Sequence, residues 1–181
     1  MGTTVRQQRD KADPSFPMVG EGANYPMYYV SWEECQTFVQ KLKQLTGKPF
    51  RLPTEVEWEY AARGGNKSRG YKYAGSNTIG DIGWSGDNSG SRTHQVKTKR
   101  ANELGLYDMS GNVLEWCNDG WDGTSGYSSS AQTNPQGDSR APNRVDRGGS
   151  FYDGAWSCRA SYRNGGTPGC RSSDHGLRLA L

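Results

Sequence analysis

Long apolar runs are missing from this chain of 181 residues. No stretch approaches the roughly 18 consecutive apolar residues that a membrane-spanning helix needs, so we expect no transmembrane segment. The opening residues 1–4 also lack the apolar stretch of a secretory signal. A chain from which such a signal has been removed would look the same, so export from the cell stays open.

Zinc-binding patterns of cysteine and histidine are missing too. The chain has two histidines, and its four cysteines nowhere show Cys-x-x-Cys spacing, which disfavours a zinc site. Cys35 lies on the apolar face of a predicted helix and Cys158 in a predicted strand, so we expect both thiols to serve packing. Cys170 falls in a predicted loop. A disulfide between Cys158 and Cys170 could form in an oxidising compartment, but nothing in the sequence requires it.

An excess of one charge is the third absence. The formal net charge is +3, and both signs are scattered along the chain, which disfavours nucleic acid and anionic membranes as partners. What is abundant is glycine, with 25 residues, beside ten tyrosines and six tryptophans. This composition predicts one loop-rich domain in which aromatic side chains fill much of the core.

Two helices have clear start and stop signals. Ser31 and Glu34 form a capping box before a run of apolar residues at helical spacing, and Gly47 ends that run. Thr54 and Glu57 repeat the capping box before a second, shorter helix. Residues 1–24 are polar and irregular, and we interpret them as an arm or first loop that precedes a domain over 25–181.

Strand patterns dominate the rest of the ordered chain. Residues 25–30 form a short aromatic strand candidate, and 143–151, 158–163 and 176–181 are the later candidates. Residues 65–104 are predicted to form long loops with brief strands. Two helices beside a small twisted antiparallel sheet with long loops make an α+β domain.

Four stretches in this order resemble one known family. They are residues 28–32 (YYVSW), 51–64 (RLPTEVEWEYAARG), 102–116 (NELGLYDMSGNVLEW) and 147–151 (RGGSF). Together they resemble the formylglycine-generating, sulfatase-modifying-factor domain family over about residues 25–181. The resemblance implies a C-type-lectin-like fold, in which a scaffold of helices and a twisted sheet presents long loops.

The last third of the chain narrows the resemblance. Framework residues such as Arg147, Arg163 and Arg178 alternate with runs of small and polar residues. This alternation resembles the variable proteins of diversity-generating retroelements, those of treponemes above all, in which miscopied template adenines turn Asn-type codons into many residues. Most inserted residues here are reachable from an Asn codon. Trp156 is not, so it is either fixed or derived from another codon.

The resemblance implies a non-enzymatic, receptor-type protein whose ligand-binding surface lies at about residues 144–176. We expect the framework arginines to make internal hydrogen bonds and the aromatic and small polar side chains between them to contact the ligand. The predicted ligand-binding residues are Asp146, Phe151, Tyr152, Asp153, Gly154, Trp156, Ser157, Tyr162, Asn164, Gly165, Gly166, Thr167, Cys170, Ser172, Ser173, Asp174 and His175. The expected partner is a protein or another host or cell-surface molecule. Display at the cell surface would use a lipid anchor that this chain does not contain.

The alternative is a copper oxidase of the formylglycine-generating type, intact or degenerate. By resemblance such members use two cysteines, three and eight residues beyond the Gly-Gly-Ser motif. Counted from Gly148-Gly149-Ser150, those positions are Asp153 and Cys158. When the comparison is anchored instead on Arg163, Thr167 and Pro168, neither position is a cysteine. Either way the pair is broken, and a thiolate copper site needs both sulfurs. We therefore predict no catalytic residues.

A structural calcium ion is the one metal that the resemblance implies. Family members hold it in the loop around the Gly-Asn-Val-x-Glu-Trp motif. The matching residues are Asp108, Gly111, Val113 and Glu115, whose carboxylate and main-chain oxygens suit a hard cation. The competing interpretation is a tight loop in which Glu115 accepts hydrogen bonds and Trp116 packs inward. The predicted recognition protein requires no cofactor, and a calcium ion would have a structural role only.

Overall fold

The computed structural model describes residues 3–123 and 130–181. Its α-helices are Val5–Ala12 (α1), Trp32–Thr46 (α2), Glu55–Ala62 (α3) and Ile79–Ile82 (α4), and its 3-10 helices are Gly65–Lys67 and Ala155–Cys158. The strands are Leu114–Trp121 (β1), Asn143–Arg147 (β2), Arg163–Gly166 (β3) and His175–Leu177 (β4). Over the described ranges, no helix is long and apolar enough to cross a membrane.

Both predicted helices are confirmed, together with the signals that start and stop them. The Ser31 side chain accepts from Glu34 N while the Glu34 side chain returns to Ser31 N, so α2 begins with a complete capping box. Gly47, at φ +68°, ends α2 in the left-handed conformation. Thr54 and Glu57 cap α3 in the same reciprocal way.

The sheet has four strands in the order β3-β2-β1-β4. β2 is antiparallel to β1 and to β3, but β4 runs parallel to β1, so the prediction of a wholly antiparallel sheet is wrong. β1 is central, and the sequence did not reveal it. Its residues from Leu114 to Cys117 are all buried, because layers cover both faces, and such a strand lacks the alternation that marks a half-exposed one.

All three later strand predictions have wrong bounds. The chain over 158–163 first completes a 3-10 helix and then turns, with Tyr162 N bonded to Arg159 O, so β3 begins only at Arg163. β2 ends at Arg147, because Gly148 and Gly149 both adopt positive φ. The final strand covers only three residues, and beyond it a single bridge joins Ala180 to Arg51.

The N-terminal region also differs from the prediction. Residues 25–30 form no strand, because Tyr29 adopts φ +60°, outside the extended region that a strand needs. The arm over 1–24 contains α1, whose Val5 packs against Tyr28, Tyr29 and Val113. Its first two residues lie outside the described part of the chain.

The core lies on both sides of the sheet. On one side Trp58 of α3 packs with Met109 and Val145. On the other, Trp116 packs with Cys35 of α2, and its Nε1 donates to Val30 O at 3.0 Å. Large aromatic side chains therefore form the centre of both layers, as the composition indicated.

Candidate functional site

A glycine turn directs the chain away from the sheet at the end of β2. Gly148 has φ +97° and Gly149 has φ +68°, which favour glycine. A Cβ on Gly149 would lie 2.8 Å from Cys158 Sγ and 2.9 Å from Ser157 O. The turn therefore lets the following loop fold back tightly, and the 3-10 helix Ala155–Cys158 packs directly over it.

Arg147 holds both ends of this loop. It is fully buried, and its Nη1 donates to Glu55 Oε1 at 3.1 Å and to Tyr162 O at 2.7 Å. Its Nη2 donates to Ala160 O at 2.8 Å and to the Glu59 carboxylate. One guanidinium thus joins β2 and the far end of the loop to α3, which confirms the expected internal role of Arg147.

The other two framework arginines are also paired internally. Arg163 donates to both oxygens of Glu55 at 2.6 and 2.7 Å. Arg178 donates to both oxygens of Glu115 at 2.8 Å and to Tyr107 O at 2.9 Å. These charge-assisted, bidentate pairs fix the backbone on either side of the polar runs.

The loop itself is ordered by short polar contacts. Asp153 Oδ2 accepts from Ser150 N at 2.9 Å and from Ser150 Oγ at 2.7 Å. Asp153 O accepts from Gly86 N at 2.7 Å, and the Asp87 carboxylate accepts from Ala155 N at 3.3 Å. Asp153 is therefore a structural residue as well as a predicted ligand-binding one. Asp87 lies 68 residues from Ala155, and no local sequence signal indicated it.

Two aromatic side chains of the loop face solvent. Tyr152 is 74% exposed and Trp156 is 60% exposed. Trp156 meets Tyr162 edge to face, with ring centroids 4.8 Å apart. Exposed large aromatics that the backbone holds in place are typical of recognition surfaces.

The strands extend this surface toward β4. Asn164 pairs with Asp146 across β3 and β2, and Asp146 Oδ2 lies 3.2 Å from His175 Nε2. Thr167 is exposed and Ser172 half-exposed beside them. We call the exposed and half-exposed side chains between residues 152 and 175 the loop surface. The contacts thus join Trp156 to Tyr162, and Asp146 on β2 to Asn164 on β3 and His175 on β4.

Four predicted surface residues are buried instead: His175, which is 9% exposed, and three residues whose exposure is lower still. Asp146 is 0% exposed, Phe151 2% and Ser157 4%. Asp146 lies on β2 under His175, and Phe151 N donates to Asn112 O inside the fold. Ser157 belongs to the 3-10 helix that covers the glycine turn. These three side chains are therefore not available to a ligand.

The β3 glycines are restricted by packing. A Cβ on Gly165 would lie 2.1 Å from Trp121 Cε3, and one on Gly166 would lie 3.0 Å from Trp116 Cη2. Gly165 therefore contributes backbone rather than a variable side chain. Gly154, Cys170 and Ser173 are half-exposed, and Cys170 also packs toward the α2 layer.

His175 forms a charged cluster with two aspartates. Its Nδ1 lies 3.0 Å from Asp174 Oδ1, and its Nε2 faces Asp146. Burial opposes the charged imidazolium, but the two carboxylates outweigh it and raise the pKa of His175 to about 10. Burial also opposes ionisation of Asp174, yet its bond to His175 leaves its pKa below the usual value. Only 9% of His175 is exposed, so it supports the surface more than it offers itself to a ligand.

The predicted calcium ligands are only partly free. Asp108 Oδ2 accepts from Lys97 N at 2.8 Å, and its Oδ1 is buried without a hydrogen-bond partner in the described chain. Burial raises the pKa of Asp108. Glu115 is engaged by Arg178 through both oxygens and by Trp58 Nε1 at 2.7 Å. Of the two predicted carboxylate ligands, only Asp108 therefore has an oxygen without a protein donor in the described chain, and no role is derived from the ion.

The cysteines show no redox pair. Within the described residues all four thiols are free, and Cys158 is buried. Burial, with the nearby Asp153 and Asp87 carboxylates, raises the pKa of Cys158 to about 12, and burial raises that of Cys35 to about 12. A thiolate at Cys158 is therefore strongly disfavoured at neutral pH. The expected packing roles of both residues agree with this burial.

Comparison with known proteins gives consistent matches. The model of the sulfatase-modifying factor enzyme 1-like domain matches residues 2–181. A formylglycine-generating enzyme of Streptomyces coelicolor is 36% identical over 172 residues, which cover 87% of this chain and 52% of that protein. The chain thus spans about half the length of that curated relative.

Solved structures give the same result for the fold. Treponema denticola variable protein 1 superposes with a TM-score of 0.81 at 32% identity, covering 97% of this chain and 80% of that one. The protein CarF superposes with a TM-score of 0.68 at 27% identity, covering 97% and 82%. The predicted α+β fold of C-type-lectin-like type is confirmed, with the sheet corrected from antiparallel to mixed.

Proposed function

The chain belongs to the family of sulfatase-modifying factor enzyme 1-like domains, and we propose that it is a non-enzymatic, ligand-binding member whose loop surface recognises a partner. The structural match to a treponemal variable protein supports a scaffold of this type. In the proposal, a retroelement diversifies the exposed residues of the loop surface while the framework stays constant.

The observation that carries the proposal is the contrast between neighbours in one loop. Tyr152 is 74% exposed, whereas Phe151 beside it is 2% exposed and Arg147 is fully buried against α3. A loop whose ends are fixed by buried groups can change its exposed side chains with little effect on the fold. Pre-organised backbone also lowers the entropy cost of binding.

The chemistry of the surface favours a macromolecular partner. Tyr152 and Trp156 supply large amphipathic contact area at low entropy cost, and small polar side chains between them supply adaptable hydrogen bonds. A protein or another host or cell-surface molecule is the proposed ligand. Display at the cell surface through a lipid anchor is part of the same proposal. Binding of the ligand is proposed to need no cofactor and to involve no nucleic acid. The predicted structural calcium ion stays a prediction.

A display library would test this function directly. One library randomises the exposed positions Tyr152, Trp156 and Thr167 and is selected against hen lysozyme as a defined protein target. A control library randomises three exposed positions in and just after α2: Gln40, Gln44 and Lys48. We expect folded, saturable binders from the first library only. Equal yields from both libraries, or loss of folding throughout the first, would contradict the proposal.

The second candidate is an oxidase of the formylglycine-generating type, favoured by the 36% identity to the Streptomyces enzyme. Two observations oppose this candidate. Burial raises the pKa of the Cys158 thiol to about 12. By resemblance, the position of the family's first cysteine is occupied by Asp153. Stoichiometric binding of Cu(I) that is lost in Cys158→Ser would favour this candidate. Copper binding that is absent or unchanged in Cys158→Ser would support the recognition protein.

A further inference from the structure

A cavity of about 360 Å³ lies between α1, α2 and β4, apart from the loop surface. Its volume is within the range of small-molecule sites in proteins. The apolar part of its lining consists of Met27, Val30, Cys35, Phe38 and Leu177. Thr37 and Lys41, both exposed, lie at its outer edge.

One polar group in the lining is buried and unsatisfied. Gln8 of α1 is 6% exposed, and its Nε2 donates to Thr3 Oγ1 at 3.1 Å. Its Oε1 is buried and has no hydrogen-bond partner among the described residues. Such an acceptor is costly to leave unpaired, and a bound donor would remove that cost.

Of the three charged side chains in the lining, Lys11 and Glu34 are paired with each other, and Lys41 is exposed at the outer edge. Lys11 Nζ lies 3.2 Å from Glu34 Oε1, and Glu34 Oε2 accepts from Arg171 Nε at 3.0 Å. An anionic ligand would therefore compete with Glu34 for its cations. A neutral molecule with one hydrogen-bond donor fits the apolar walls and the free acceptor better.

We propose that this cavity binds a small, neutral, mainly apolar molecule with one O–H or N–H donor, such as an alkylphenol or an indole. The donor bonds to Gln8 Oε1, and the ring or alkyl group packs against Phe38 and Leu177. The lining contains no residue of the loop surface, although Arg171 of that surface contacts Glu34 of the lining. The proposal holds whether or not the loop surface is diversified.

A matched pair of probes tests the site. 4-Propylphenol and propylbenzene differ only in the hydroxyl group, and their binding to the full chain is measured by calorimetry and by chemical shifts of the Val30 and Leu177 methyl groups. We expect 4-propylphenol to bind about five- to tenfold more tightly, as one neutral hydrogen bond gives. Gln8→Leu should remove the preference, and Thr37→Trp should weaken both probes by blocking the edge. Gln44→Leu, elsewhere on α2, should change nothing.

Three outcomes would overturn the proposal. They are no saturable binding by the folded wild-type chain, equal affinity for the two probes, and binding that Thr37→Trp leaves unchanged. Should Gln8→Leu fail to fold, the probe pair on the wild-type chain and the edge variant still decide the question.

Discussion

Arg147 Nη1 lies 3.1 Å from Glu55 Oε1, and the two residues are 92 positions apart in the chain. Their side chains are 0% and 2% exposed. This buried ion pair joins the first turn of α3 to the last residue of β2, just before the glycine turn. The loop surface is therefore positioned from α3 as well as by the contacts of its own Asp153 with Ser150.

Removing this guanidinium should destabilise the whole domain. Arg147→Met leaves the carbonyls of Ala160 and Tyr162 unpaired and weakens the neutralisation of Glu55, so we expect a loss of about 3–5 kcal/mol. Urea unfolding measures it. Arg140→Met, which breaks an exposed pair with Asp138, should cost under about 1 kcal/mol. Equal losses in the two variants would refute the structural role of Arg147.

Adjacent aromatic residues in the loop should respond in opposite ways. Tyr152→Ala removes an exposed ring, so its unfolding free energy should change by under about 0.5 kcal/mol. Phe151→Ala removes a buried ring and should cost about 3–5 kcal/mol. Binders selected from the display library should lose affinity when the residue selected at position 152 is changed to alanine. A Tyr152→Ala variant that unfolds as readily as Phe151→Ala would show that the exposed ring is structural.

The cluster around His175 should make stability depend on pH. The folded protein binds the imidazolium proton of His175 more tightly than the unfolded chain does, because folding raises the pKa of His175 from 6.5 to about 10. The stabilisation is thus complete below about pH 6.5 and is lost as the pH rises toward 10. His175→Gln should flatten this decline in unfolding free energies measured across that interval. Parallel curves of unfolding free energy against pH for the two proteins would mean that Asp146 and Asp174 do not raise the pKa of His175.

Glycines of the loop surface should differ in their tolerance of a side chain. Gly165→Ala places a Cβ about 2.1 Å from the Trp121 ring, so we expect it to cost at least about 2 kcal/mol. Gly169→Ala has nothing within 4 Å of the new Cβ and should be neutral within about 0.5 kcal/mol. Thermal unfolding of both variants compares them. If Gly165→Ala were as stable as Gly169→Ala, position 165 of β3 would tolerate a side chain and the packing constraint from Trp121 would be refuted.

The reactivity of each thiol should follow its burial. Because burial raises the pKa of Cys35 and Cys158 to about 12 and that of Cys117 well above 9, these three should not react with a disulfide reagent at neutral pH. Only Cys170, which is half-exposed, should react in the native protein, and denaturant should expose all four. Rapid reaction of Cys158 in the native state would instead support the oxidase.

Local signals in the sequence predicted the helices well. The capping boxes at Ser31 and Thr54 act within four residues, so they can be recognised without knowledge of the fold. The central strand β1 could not be found in this way, because burial on both faces removes its alternation. Its parallel pairing with β4 joins residues about 60 positions apart, and no local pattern specifies such a contact.

The sequence predicted which loop residues are exposed only in part. The resemblance placed the loop between the correct framework residues, and the exposed Tyr152 and Trp156 agree with it. It could not tell that Asp146 and Phe151 are buried, since burial depends on strands and loops that meet from distant positions. The acceptor of Ala155 N, Asp87, was invisible for the same reason.

Sequencing the DNA that flanks the gene tests the central claim most directly. The account predicts a near-copy of the codons for residues 144–181, beside a reverse-transcriptase gene, that differs chiefly where the copy has adenine. The differences should fall on exposed positions such as Tyr152 and spare Arg147. Absence of both the copy and the reverse transcriptase, or differences spread evenly over buried and exposed codons, would contradict a diversified recognition surface.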